Sequence, residues 1–176
     1  MLAASGRLHY FRHFALLACI AAGILAVRWR FGLGAAAWFA LYGGLHAAAL
    51  VASLRVRQPW WRSLLFIAVA AGLAMSIAWL GLYGVRYAGK LPGVTGAAAL
   101  LGTASLLGAL AYGSLIRRFK LAILPIGDLA ATSSACALAA LGVLWMVGHS
   151  PVRGALWVTI AWWFTFSAGL WYHEPR

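Results

Sequence analysis

The chain has 176 residues, 65% of them hydrophobic and 9% charged, with 14 Lys and Arg against two acids, Asp128 and Glu174, and a mean hydropathy of +0.90. A soluble domain carries roughly a quarter charged residues, so this composition excludes one. It also argues against nucleic-acid binding, because the bases come in twos and threes between long apolar runs, as in loops flanking membrane spans.

Taken in chain order, the pattern predicts an all-α, polytopic integral membrane protein. It is a single domain over residues 1–176, a bundle of about six transmembrane helices with no soluble domain. The expected spans are 13–29, 33–54, 63–85, 91–116, 121–148 and 152–172. A helix needs roughly 20 apolar residues to cross the hydrocarbon. The first segment is short for this, although Arg12 and Arg28 can snorkel to the two interfaces; an interfacial or half-inserted helix is its alternative. Arg7 and Arg12 ahead of this run resemble a signal peptide in outline. The long leading segment points instead to an uncleaved first span.

The second segment carries a polar stripe of Tyr42, His46 and Ser53. His46 is the one histidine expected deep in a span, where a ligand contact, a proton relay or an interhelical hydrogen bond would each account for it. Gln58-Pro59 precedes the third segment, which carries Ser76, Trp79 and Tyr83 on one face. The fourth carries Ser105, Gly108 and Tyr112 likewise, and its pairs Ala104/Gly108 and Ala109/Gly113 have the spacing that lets helices approach closely.

In the fifth segment Pro125-Ile126-Gly127-Asp128 interrupts the run. If the helix proper begins at Asp128, residues 121–124 form an interfacial or re-entrant lead-in. Thr132 and Cys136 follow Asp128 on one face. Asp128 is then either a helix cap paired with Lys120, Arg118 or Arg117, or a group serving an ion or ligand pathway. Ser150-Pro151 opens the sixth segment, whose stripe is Thr159, Trp163 and Ser167. Cys19 and Cys136 sit in apolar runs and read as small core residues.

Together Asp128, Thr132, His46, Tyr42, Ser76 and Trp163 are the candidate ligand- or ion-pathway residues. No catalytic set and no metal site is expected. A carboxylate pair for acid–base work is missing, and two acids leave little to hold Mg²⁺ or Ca²⁺. His9 and His13 have metal-ligand spacing without a third ligand nearby, and beside Arg7, Tyr10 and Arg12 they read as an interfacial anchor. No cofactor is predicted. A haem b would need a second axial side chain at the depth of His46; no second histidine is expected mid-span, His9 and His13 being placed at the end of theirs, which leaves Met75 or Met146 to serve.

With six spans, one side holds Arg7, Arg12, Arg55, Arg57, Arg62, Arg117, Arg118, Lys120 and Arg176, and the other holds Arg28, Arg30, Arg86, Lys90 and Arg153. Nine bases against five orient both termini to the cytoplasm, in a bacterial inner (plasma) membrane. Arg55, Arg57, Arg62, Arg117, Arg118 and Lys120 are the expected headgroup contacts. The partners expected are membrane lipids, and other membrane subunits or further copies of the chain, with no nucleic acid.

Three function classes stay open. The leading one is a non-catalytic membrane component that binds a lipid-like or anionic ligand or serves as accessory subunit of a larger complex. The second is a small secondary transporter or channel using Asp128 and His46. The third is an intramembrane enzyme or a haem redox protein.

Overall fold

A computed structural model describes residues 8–27, 35–55, 57–88, 94–122, 124–146 and 151–172. They form six α-helices and no strand: α1 (Tyr10–Val27), α2 (Ala35–Ala52), α3 (Trp60–Ala88), α4 (Val94–Arg118), α5 (Ile126–Met146) and α6 (Pro151–Tyr172). Three helices hold stretches long and apolar enough to cross a membrane: Trp60–Ile77 in α3, Ala99–Arg118 in α4 and Ile126–Val143 in α5. At 1.5 Å per residue, eighteen residues reach about 27 Å. Shorter apolar stretches lie in α1 and α2, at Tyr10–Ala26 and Ala37–Ala52.

Each helix packs on the next in sequence, and α6 returns to α1. The bundle is therefore a ring in chain order. The starts of α1, α3 and α5 and the ends of α2, α4 and α6 share one end, called the near end below. The outer surface is apolar: Leu64, Leu80, Leu107 and Leu138 are exposed, as are Trp60, Trp145 and Trp171 near helix ends. In water this surface would be an aggregation hazard; against lipid it is matched.

Backbone bonds close the near end. A single antiparallel bridge joins Leu8 to Leu54, and the His9 N–H donates to the Ser53 carbonyl at 2.8 Å. The residues leading into α1 are thus clamped to the turn after α2. Across the ring, the Tyr10 hydroxyl donates to the Leu170 carbonyl at 3.1 Å.

α3 begins directly after Pro59, whose carbonyl accepts from the N–H groups of Arg62 and Ser63 at 3.0 and 3.2 Å. α5 begins at Ile126, two residues before Asp128. Its first turn is fixed by the Leu129 N–H donating to the Pro125 carbonyl at 2.9 Å. Asp128 lies inside that first turn, where a carboxylate suits the positive end of the helix dipole. Leu121 and Leu124 are buried in the main core, so the described part of the expected lead-in is tucked under the bundle. Ser150 lies outside the described residues.

α4 ends in a Schellman motif. The Leu121 N–H donates to the Ile116 carbonyl and the Lys120 N–H to the Arg117 carbonyl, both at 3.0 Å, while Ile116 and Leu121 are both buried. The motif requires a left-handed residue after the cap. Here that residue is Lys120, at φ 56°, although its Cβ crowds the backbone in this region. Lys120→Gly is accordingly expected to stabilise the protein by about 0.5–1 kcal/mol, read as a higher thermal unfolding midpoint in detergent.

Small residues set the helix spacing. A Cβ on Gly43 would collide with the Cβ of Ala74 and stand 3.0 Å from the Ala70 carbonyl oxygen, so α2 and α3 touch nearly backbone to backbone. A Cβ on Gly169 of α6 would stand 2.6 Å from the Thr132 hydroxyl on α5.

Candidate functional site

The small residues that let helices approach also leave a gap. A cavity of about 110 Å³ lies between α2, α3, α4 and α6. Ala70 and Ala74 of α3 and Ala104 and Gly108 of α4 leave the room, while Phe39, Leu73, Ile77 and Val158 make the walls apolar. Counted along the helices, the lining runs from about 9 to 25 Å above the near end.

Tyr112, Trp162 and Trp163 line the cavity on its near-end side. Trp162 stacks on Phe166 at 5.4 Å and meets Trp163 edge-on at 4.4 Å. Its indole N–H donates to the Ser105 carbonyl on α4 at 3.0 Å. The Trp163 indole N–H is also buried but has no hydrogen-bond partner. A buried donor without a partner costs about 1–3 kcal/mol.

Below the aromatic residues runs a chain of hydrogen bonds. The Tyr112 hydroxyl lies 2.9 Å from His46 Nδ1. His46 Nε2 lies 3.2 Å from Ser167 Oγ, and Ser167 Oγ lies 2.9 Å from His13 Nε2. All four side chains are buried. The His46 ring stacks on Trp163 at 3.9 Å and meets the His13 ring edge-on at 5.4 Å.

Helix register brings the four to one level. His13 is three residues into α1, His46 and Tyr112 are six from the ends of α2 and α4, and Ser167 is five from the end of α6. All therefore stand about 5–9 Å from the near end. A serine hydroxyl has one proton and two lone pairs, so Ser167 accepts from one imidazole and donates to the other. His13 Nδ1 is buried beside the Ala49 carbonyl without reaching hydrogen-bond geometry.

Of the residues singled out in the sequence, the structure brings His46, Trp163 and Tyr42 together: all three line one small crevice facing α1. Thr132 and Cys136 are buried on the α6-facing side of α5. Thr132 lies against Gly169, and the Cys136 thiol is 3.8 Å from the Trp162 carbonyl. Asp128 is half-buried at the start of α5, away from the cavity.

Ser76 lies on the outer face, exposed, its hydroxyl donating to the Gly72 carbonyl at 2.9 Å. Trp79 beside it is also exposed, so this stripe does not line the cavity; the Tyr83 side chain lies outside the described residues. His13 requires a correction. Read as an interfacial anchor, it is buried and bonded across the bundle, because α1 begins at Tyr10 and carries it one turn inward. Tyr112 and Ser167, in sequence only members of polar stripes, complete the bonded chain.

Among the basic residues, Arg55, Arg57, Arg117, Arg118 and Lys120 are exposed and Arg62 is half-exposed, all toward the near end. The Arg62 guanidinium lies 5.8 Å from the Trp61 ring centre. His9, Arg12 and Arg55 border a shallow depression there with Tyr10 and Phe11. Among the described residues no three His, Cys, Asp or Glu side chains gather as a metal site would require.

Comparison of the chain with known families, curated proteins and solved structures finds no match. The site is therefore read from its own chemistry. It offers an apolar chamber and a hydrogen-bonded chain leading from the chamber toward the near end.

Proposed function

We propose that the chain is a non-catalytic membrane component that crosses the bilayer six times, near end in the cytoplasm, and binds a lipid-like ligand inside the bilayer. The observation that carries this reading is the apolar cavity itself, walled by Phe39, Leu73, Ile77 and Val158 and closed below by Tyr112, Trp162 and Trp163. Small-molecule sites take this form, apolar walls with a few placed polar groups. An apolar cavity of about 150 Å³ takes up benzene, so a cavity of about 110 Å³ suits a ring or a short length of hydrocarbon chain, the rest of the ligand lying outside. The exposed bases at the near end support the orientation, since they reach anionic headgroups and follow the positive-inside rule.

Ala104→Leu puts added methyl groups into the cavity. Purified in gentle detergent and weighed by native mass spectrometry, the variant is expected to retain at least about tenfold less bound lipid than the wild type, a loss of about 1.4 kcal/mol in affinity. Its thermal midpoint is expected to stay level or rise. Equal lipid retention in the two proteins, or none in either, overturns the reading.

A further inference from the structure

Four buried side chains, each able both to donate and to accept, form an unbroken line whose two ends differ. Tyr112, at one end, lines the intramembrane cavity. His13, at the other, is one turn into α1, where its backbone N–H donates to the carbonyl of His9 at 2.9 Å. We infer that Tyr112, His46, Ser167 and His13 form a proton path leading from the cavity toward the near end.

The line has two self-consistent polarities with every member neutral. In the first, the Tyr112 O–H donates to His46 Nδ1, His46 Nε2–H to Ser167, and the Ser167 O–H to His13 Nε2, leaving His13 protonated on Nδ1. In the second, every bond is reversed. His13 Nε2–H donates to Ser167, the Ser167 O–H to His46 Nε2, and His46 Nδ1–H to the Tyr112 oxygen, which leaves the tyrosine proton facing onward. One conversion between the polarities moves one proton along the line.

From the second polarity, a proton arriving at His13 Nδ1 releases the Nε2 proton to Ser167. Ser167 passes its own to His46 Nε2, His46 passes the Nδ1 proton to the Tyr112 oxygen, and the tyrosine proton leaves to a base in the cavity. One proton enters and one leaves; at each hop one bond to hydrogen breaks and one forms. The line ends in the first polarity, and rotation of the hydroxyls with tautomer exchange of both rings resets it.

His13 Nδ1, at the near-end terminus of the line, is buried and lacks a hydrogen-bond partner. The surroundings favour neutral carriers. The rings packed against the line are those of Phe14, Phe66, Phe166, Trp162 and Trp163, and the one acid among the described residues, Asp128, is at the start of α5. Nothing nearby would trap a proton as a carboxylate would. The cavity ligand served by such a path carries a protonatable oxygen.

The path itself does not depend on lipid binding, and the test separates the two. With the protein labelled with ¹⁵N at histidine and held in nanodiscs, transfer of saturation from water to the imidazole N–H protons reads exchange at each ring. In the wild type, His13 and His46 are expected to exchange at rates within about tenfold of one another. Ser167→Ala is expected to slow His46 by at least about tenfold with His13 unchanged, and Ser167→Thr, which keeps the hydroxyl, is expected to restore it. No exchange at His46 in the wild type overturns the path, as does exchange at His46 that Ser167→Ala leaves unaltered. Lipid retention, read separately on Ala104→Leu, is indifferent to either result.

Discussion

Gly43→Ala is expected to destabilise the bundle by about 2–3 kcal/mol, while Gly44→Ala, one residue on, is expected to cost nothing or to stabilise. In a helix interior, alanine is better than glycine by roughly 0.8–1 kcal/mol, so propensity alone predicts a gain at both positions. The difference lies across the interface. A Cβ at position 44 would meet the Ala71 methyl at an ordinary 3.5 Å; at position 43 it would collide with the Ala74 methyl and press on the Ala70 carbonyl. Those neighbours are a methyl on a rigid helix and a backbone atom, so relief requires α2 to move from α3 as a body. SDS-induced unfolding of the two variants side by side is the measurement. Equal stabilities would show that the two helices are not held at this contact.

His46→Leu is the second large effect, about 2–3 kcal/mol of stability. Hydrogen bonds between membrane helices average about 0.6 kcal/mol each, and His46 makes two. The rest comes from leaving the Tyr112 hydroxyl buried without a partner and from losing the ring that stacks on Trp163. The double variant His46→Leu/Tyr112→Phe removes the stranded hydroxyl as well. It is expected to be more stable than the sum of the single losses predicts, by about 1 kcal/mol. Strict additivity would mean that the two side chains do not act as a bonded pair.

Much of the architecture is legible in the amino-acid pattern because one physical rule governs it. Apolar runs of the right length, cut by bases and prolines, mark the six helices to within a few residues at most ends. The turn between α4 and α5 is less legible. Pro125 and Gly127 suggest an interruption, but nothing local announces that Lys120 takes the left-handed position usually held by glycine.

The site divides along a chemical line. A histidine in an apolar helix must find partners on other helices, so His46 could be singled out from sequence alone. A serine need not, because its hydroxyl reaches the carbonyl four residues back. Ser53, Ser76 and Ser133 all do this, which is why a polar stripe such as that of Ser76 says little about which face is inward. Ser167 instead bonds to two histidines, and its sequence neighbourhood looks no different. His13 was hidden for another reason: its depth depends on where α1 begins and on how the first helix meets the last.

That meeting has a consequence for the order in which the protein can be made. His13 and Ser167 are 154 positions apart, and α6 leaves the ribosome after the other five helices. Until it arrives, the two histidines of α1 and α2 have no shared hydroxyl between them, and the ring has an open seam where α6 belongs. α1 therefore reaches its final seat only after α6 is in place. A nascent chain stopped after α5 would leave that seam and its polar groups uncovered, as a surface for quality-control proteases to recognise.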